Sequence, residues 1–323
     1  MWFIIATGIL SAVGSAIYWT NPVMEKDDVA TIAKHDLAIV DLENIFNNPQ
    51  QLRQLEVINP KIKILCYVNF FEVWHSPMPE YIPFGTKLAA TINSQFSDWL
   101  LKDGEGQPVV FYEGMQTLNL SDLCPQISGY TYSRYIAEIL LENILSDKVW
   151  DGLFLDNLYD EVSWIGPMDL DLDGHVEDLT AVDFAWYRGV DSFLSTIRDA
   201  KGEKFLILGN HLSLFYKDKV DGRMLEEFPT LAHHDWNVVM RMATQWPTVI
   251  IQGQGDNTEL AFNSSVLIDN AFFCMGNNIP VPEEMLAKLN QLKKLPAKQR
   301  GKFSYKDGIY QRRLGDEVIT VQP

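Results

Sequence analysis

Basic side chains are scarce in this chain of 323 residues: 26 Lys and Arg stand against 43 Asp and Glu, a formal charge of −17. A surface that negative repels phosphate backbones, and no basic stripe offsets it, so nucleic acid is not an expected partner. Cysteine is nearly missing. Cys66, Cys124 and Cys274 form neither a metal-ligand spacing nor an even-numbered disulfide framework. Cys66 lies in an apolar run and reads as a small core residue, while one bridge between the other two stays open. Histidine is also sparse, with six in all, and the adjacent pair His233-His234 has no third ligand at zinc spacing. No Ser/Gly-rich linker or low-complexity stretch divides the chain. Long apolar runs are lacking too: Trp2–Leu10 is strongly apolar, but the N-terminal apolar stretch is broken by Gly8 and Gly14 and is short for a stable membrane span. A secretory signal opens on a basic segment, which the first 24 residues do not contain, although Gly14 and Ala16 imitate a small-residue cleavage site. Residues 1–15 are therefore expected as a signal or as an extension packed on the body of the protein, and the compartment, secreted or cytoplasmic, stays open.

What is present describes a packed globular protein, 47% hydrophobic and 12% aromatic. A short apolar run ending in a polar residue, then a loop, then a segment of helical periodicity recurs along the chain. The runs predict strands at Ala16–Trp19, Leu37–Asp41, Ile62–Asn69, Gly152–Asp156, Phe205–Asn210, Gly222–Glu226, Thr248–Gln252 and Ala271–Met275. The clearest helices are expected at Ser128–Leu145, with Asp122 and Ser128 as caps, and at Ala181–Ala200 and Glu259–Ala271. Short, nearly continuous apolar strands alternating with helices indicate a parallel sheet covered on both faces. A doubly wound open sheet would carry a Gly-rich phosphate turn after its first strand, and none is there. The expectation is a single-domain (β/α)8 TIM barrel over residues 16–323, with long loops after strands three and four, Phe70–Leu118 and Leu158–Thr180. Active sites of this architecture lie on the C-terminal face, which such loops build.

The sharpest motif is an internal echo. Asp151-Gly-Leu-Phe-Leu-Asp156 reads against Asp221-Gly-Arg-Met-Leu-Glu226. Side chains alternate across a strand, so Gly152, Phe154 and Asp156 share one face, as do Gly222, Met224 and Glu226. If Phe154 and Met224 fill the barrel, Asp156 and Glu226 face inward at its mouth, and Asn157 and Glu227 turn toward helices or loops beside them. Two carboxylates there suit glycoside hydrolysis, in which one is ionised and the other carries a proton for the leaving oxygen. Mutual repulsion and desolvation separate their proton affinities. The plainer reading of each acid is a strand-end cap or ion-pair partner.

The motif also carries a resemblance. Trp150-Asp-Gly-Leu-Phe-Leu-Asp156-Asn157, the strand Tyr67-Val68-Asn69, Leu118-Asn119-Leu120 before a long helix, and the later Asp-Gly…Glu strand resemble the hypothetical glycosyl hydrolase family 15. That group looks related to the endo-α-1,4-polygalactosaminidase barrels of glycoside hydrolase family 114. The resemblance runs from about Ala16 to Gln254 and implies a barrel hydrolase with Asp156 as nucleophile and Glu226 as acid/base. The doubled Glu226-Glu227 leaves parity to choose between the two glutamates, and it favours Glu226.

Other polar residues close strands or fill the loops above them. Asp41, Tyr67, Asn69, Asn157, Asn210, Glu227 and Gln252 are candidates for sugar hydroxyls, or else loop-starting caps. Trp74 and Trp164 can stack on a sugar face, or pack as lids. Asp169, Asp171, Asp173 and Glu177 imitate the start of a calcium loop, but Thr180 stands where such loops carry a bidentate Glu. The expected function is glycosidase action on a carbohydrate, with no required cofactor and a possible structural calcium. The rivals are a non-catalytic carbohydrate-binding barrel and a metal-dependent hydrolase, for which the histidines are too few.

Overall fold

A computed structural model describes residues 13–75, 79–228 and 236–322. Eight parallel strands close into a barrel: β1 (Gly14–Trp19), β2 (Leu37–Asp41), β3 (Lys63–Asn69), β4 (Gly152–Asp156), β5 (Leu206–Asn210), β6 (Gly222–Leu225), β7 (Thr248–Gly253) and β8 (Ala271–Met275). All eight expected strands are present, shifted by at most two residues at their ends; Glu226 stands one residue past β6 rather than within it.

The alternation of side chains divides the apolar residues into two cores. Tyr18, Ile39, Leu65, Phe154, Leu208, Met224, Ile250 and Phe272 fill the barrel, and the opposite faces of the same strands pack under the helices. Cys274 lies in the inner core and Cys66 in the outer one; all three cysteines are buried and free. The two Asp-Gly pairs of the echo have a steric cause at the lower end of the barrel. A Cβ on Gly152 would lie 2.3 Å from the Leu206 carbonyl oxygen, and one on Gly222 would lie 2.2 Å from that of Thr248. The preceding acids tie neighbouring strands: Asp151 accepts the Ile64 N–H (3.1 Å) and Asp221 the Ile207 N–H (2.8 Å).

Helices follow seven of the strands: α1 (Lys26–Ile32), α2 (Pro49–Ile58), α3 (Pro83–Gln95) and α4 (Tyr132–Asn143), both after β3, α5 (Leu179–Lys201), α6 (Trp236–Ala243), α7 (Thr258–Leu267) and α8 (Glu283–Lys293). Only turns cross from β5 to β6. α3 lies inside what the sequence presented as a plain loop. Asp122 and Ser128 do not cap α4, which starts at Tyr132: Asp122 is paired with Arg188 (2.9 Å), and Ser128 has a φ of 54°. The helix expected to reach Ala271 stops at Leu267, because Asn270, at φ 63°, turns the chain into β8.

The loop after β3 pairs first with itself and then with the loop after β4. Glu72–Trp74 pairs with Met115–Thr117, and Lys102–Asp103 with Met168–Asp169. After α8 comes an antiparallel sheet of β9 (Ser304–Lys306), β10 (Ile309–Leu314) and β11 (Glu317–Val321), an element the repeating pattern did not announce. No helix among the described residues is long and apolar enough to cross a membrane.

Candidate active site

Asp156 ends β4, Asn210 ends β5 and Glu226 follows β6, so three adjacent strands deliver their last inward side chains to one place. A single amide nitrogen joins them. Asn210 Nδ2 donates to Asp156 Oδ1 at 2.9 Å and to Glu226 Oε2 at 2.7 Å. The two bonds hold Asp156 Oδ1 and Glu226 Oε2 no more than about 5.6 Å apart, short of the ~6.5–9.5 Å of inverting carboxylates and compatible with the ~5–5.5 Å of retaining ones. Asp156 receives two further donors, Tyr67 Oη on Oδ2 (2.7 Å) and the Asn157 N–H on Oδ1 (2.9 Å). Three donors thus converge on this carboxyl group. Glu226 is treated differently: burial pushes its carboxyl above the usual range, the Asn210 bond opposes the shift, and the charges of Asp156 and Glu227 add to it.

Aromatic rings make the floor. Tyr18, Tyr67 and Phe154 lie with centroids 5.6–6.2 Å apart, a low-polarity base that strengthens charge interactions above it. Burial and the nearby Asp156 hold the hydroxyls of both tyrosines strongly protonated. The rim is strained. Asn157, His211 and Glu227, each directly after one of the three mouth residues, have positive φ of 54°, 88° and 46°. The Asn157 and His211 N–H groups donate back to the preceding side chains, Asp156 Oδ1 and Asn210 Oδ1 (2.9 Å each). The His211 bond also fixes which end of the Asn210 amide faces the carboxylates.

The remaining sequence candidates surround this centre in different capacities. Asn69 sits beside Asp156 in strand register, and its amide donates to Glu72 at 3.3 Å. Asp41 accepts the Glu43 N–H (2.8 Å), and burial, opposed by that bond, raises its carboxyl to about 7. Gln252 is buried and accepts the Glu227 N–H (2.9 Å), holding the turn that carries Glu226. Asn157 is buried, its side chain accepting the Tyr159 hydroxyl, while Glu227 is exposed. Trp74 and Trp164 are 42% and 49% exposed; Trp164 stands edge-on to Phe111 and Tyr159.

Sequence reasoning missed Glu72, Glu43, Tyr112 and His211. Glu72 is a buried third carboxylate that accepts the Tyr112 N–H (3.2 Å). Burial raises its carboxyl, the Asn69 bond opposes this, and Asp156 contributes to the rise. It stands beyond the strand end, where parity offers no signal.

Farther out, Asp169, Asp171 and Glu177 bring one carboxylate oxygen each within 4.8 Å of one another; Asp173 is outside that group, and its carboxylate accepts the His175 N–H. The oxygen donors suit a hard cation such as calcium, while Asp169 and Glu177 already accept N–H groups of the same turn. His233 and His234 lie outside the described residues, as do Met1–Ala12.

A family model described as hypothetical glycosyl hydrolase family 15 matches residues 57–302. Among solved structures, the fold is similar to a noncanonic maltogenic alpha-amylase of Thermotoga neapolitana, at 8% identity and TM-score 0.54, over 95% of this chain and 84% of that one. It is also similar to a cycloalternan-forming enzyme of Listeria monocytogenes, solved with a pentasaccharide substrate, at 9% identity and TM-score 0.51, over 96% of this chain and 37% of that one. At such identities the likeness shows the (β/α)8 fold. No curated protein matches.

Proposed function

The chain belongs to the hypothetical glycosyl hydrolase family 15, and from that premise we propose that it hydrolyses O-glycosidic bonds of a poly- or oligosaccharide, with Asp156 as nucleophile and Glu226 as general acid/base. The observation that carries the reading is the Asn210 amide shared between the two carboxylates, whose short separation favours a retaining course.

The roles follow from the environments. Asp156 Oδ2 holds one donor against two on Oδ1, so it keeps lone-pair density for attack on the anomeric carbon. Glu226, with its carboxyl raised by burial, retains a proton for the departing glycosidic oxygen. As the C–O bond breaks, that proton passes to the leaving sugar and a glycosyl ester forms on Asp156. Glu226, now ionised, removes a proton from water, which attacks the same carbon and frees Asp156. Asn210, donating to both acids, is a positioning residue and moves no proton.

Release of reducing ends from a panel of α- and β-linked polysaccharides tests the reading. Wild-type protein is expected to act on at least one of them. Asp156→Asn should abolish that release, and Glu226→Gln should lower it about 10²–10⁴-fold, the usual worth of general acid catalysis. Binding of a polysaccharide from the panel that is undiminished in both variants, with no turnover by wild type, would instead establish a carbohydrate-binding barrel.

A further inference from the structure

On the β2–β3 side, the barrel mouth opens into a cavity of about 310 Å³. Asp41, Tyr67, Asn69 and Trp74 line it together with residues of the outer core. Small-molecule sites span roughly 300–1,000 Å³, so this one is sized for a single sugar ring with water rather than for a length of chain. Its inner corner is the candidate nucleophile's own partner: Tyr67 donates to Asp156 Oδ2 at 2.7 Å. Asp156 itself does not line the cavity, and the Tyr67 hydroxyl is the link between the two.

The outer end runs against packed core. Val68 and Ile136, 2% and 1% exposed, belong to the core between β3 and the helices. The cover is anchored: the buried Glu43 accepts the N–H groups of Gly85 (2.7 Å) and Phe84 (3.0 Å), tying the first turn of α3 to the loop after β2. The walls are amphipathic in the manner a pyranose requires. Trp74 supplies a half-exposed indole for the apolar face of a ring, and the Asp41 carboxyl and Asn69 amide supply polar partners for hydroxyls.

We propose that this cavity is a blind pocket for one terminal pyranose ring, so that the enzyme releases single sugar units from chain ends. Its place beside a scissile bond rests on the glycosidase reading, and binding is therefore measured apart from turnover. Full-length Glu226→Gln protein labelled with 5-fluorotryptophan, its Trp74 signal assigned by Trp74→Phe, is titrated with glucose, galactose, mannose, xylose, N-acetylglucosamine and galactosamine. At least one sugar should move the Trp74 fluorine resonance saturably, and Asp41→Asn should weaken that sugar about fivefold, the worth of one hydrogen bond. On any polysaccharide the wild type degrades, the first products should be single sugar units. A silent Trp74 signal across the panel, or first products of mixed length, overturns the pocket. Turnover with a silent Trp74 leaves the glycosidase reading standing without it; a Trp74 response with no turnover supports the pocket and removes the glycosidase reading.

Discussion

At Glu226 two opposing influences act on one proton: burial raises its carboxyl, and the Asn210 amide lowers it. A general acid works only while protonated, so activity should fall as pH rises through the Glu226 value, which lies above that of an ordinary glutamate. Replacing Asn210 by Ala removes the opposing bond. The alkaline limb of kcat/KM should then move to higher pH while kcat drops about 10²-fold or more, because both carboxylates lose their common donor. A limb that stays in place, or moves to lower pH, contradicts the assignment. Asp41 gives a separate stability test. Its carboxyl is raised in the fold from 3.8 to about 7, so between those values the folded state binds the extra proton and stability declines as pH rises. Asp41→Asn should therefore raise Tm at pH 8 and leave it nearly unchanged at pH 4; an equal effect at both would show that burial does not govern this group.

The strand ends explain what the echo in the sequence does. Its Asp-Gly halves are structural, since Asp151 and Asp221 tie neighbouring strands and Gly152 and Gly222 meet backbone where no Cβ fits. Its closing acids, Asp156 and Glu226, are the ones that converge. Alternation alone placed them on the inner face, which is why the pair was legible from the chain. The turns after them were not: Asn157 and His211 are of types enriched at positive φ but adopt it only in a minority of cases, and Glu227 gives no such signal. Such strain costs roughly 1–3 kcal/mol and persists where the surroundings enforce it. Asn157→Val is thus expected to lower stability in urea unfolding by about 1–3 kcal/mol, because a β-branched residue tolerates that conformation poorly. An unchanged midpoint would refute the strain argument. Helix α3 escaped notice because it buries only Ala89 and Ile92, too thin a stripe to give a clear period; its anchor, Glu43, lies 42 residues from Gly85 in the chain.

Across the molecule, the barrel was readable because eight apolar runs at strand length alternate with helical segments, and burial on both faces requires that composition. The antiparallel sheet at the end was hidden by Arg312, which occupies an inward position of β10 between Tyr310 and Leu314 and breaks the apolar alternation. Each nitrogen of its guanidinium is engaged instead, donating to the Gly301 and Val266 carbonyls (2.9 and 3.2 Å) and to Asp269. Through Tyr310, whose ring centroid is 4.3 Å from that of Trp236, the sheet also braces α6, the helix after β6. Arg312→Ala should cost about 1–3 kcal/mol by leaving buried carbonyls unpaired, seen as a lower Tm; no change would show that the sheet is not coupled to the barrel.

The central claim is that Asp156 and Glu226 act as a retaining pair. Time-resolved proton NMR of the first minutes of hydrolysis, before mutarotation mixes the anomers, tests it most directly. Product with the anomeric configuration of the substrate is the predicted result; product of the opposite configuration would show that the shared Asn210 amide does not set a nucleophile's distance.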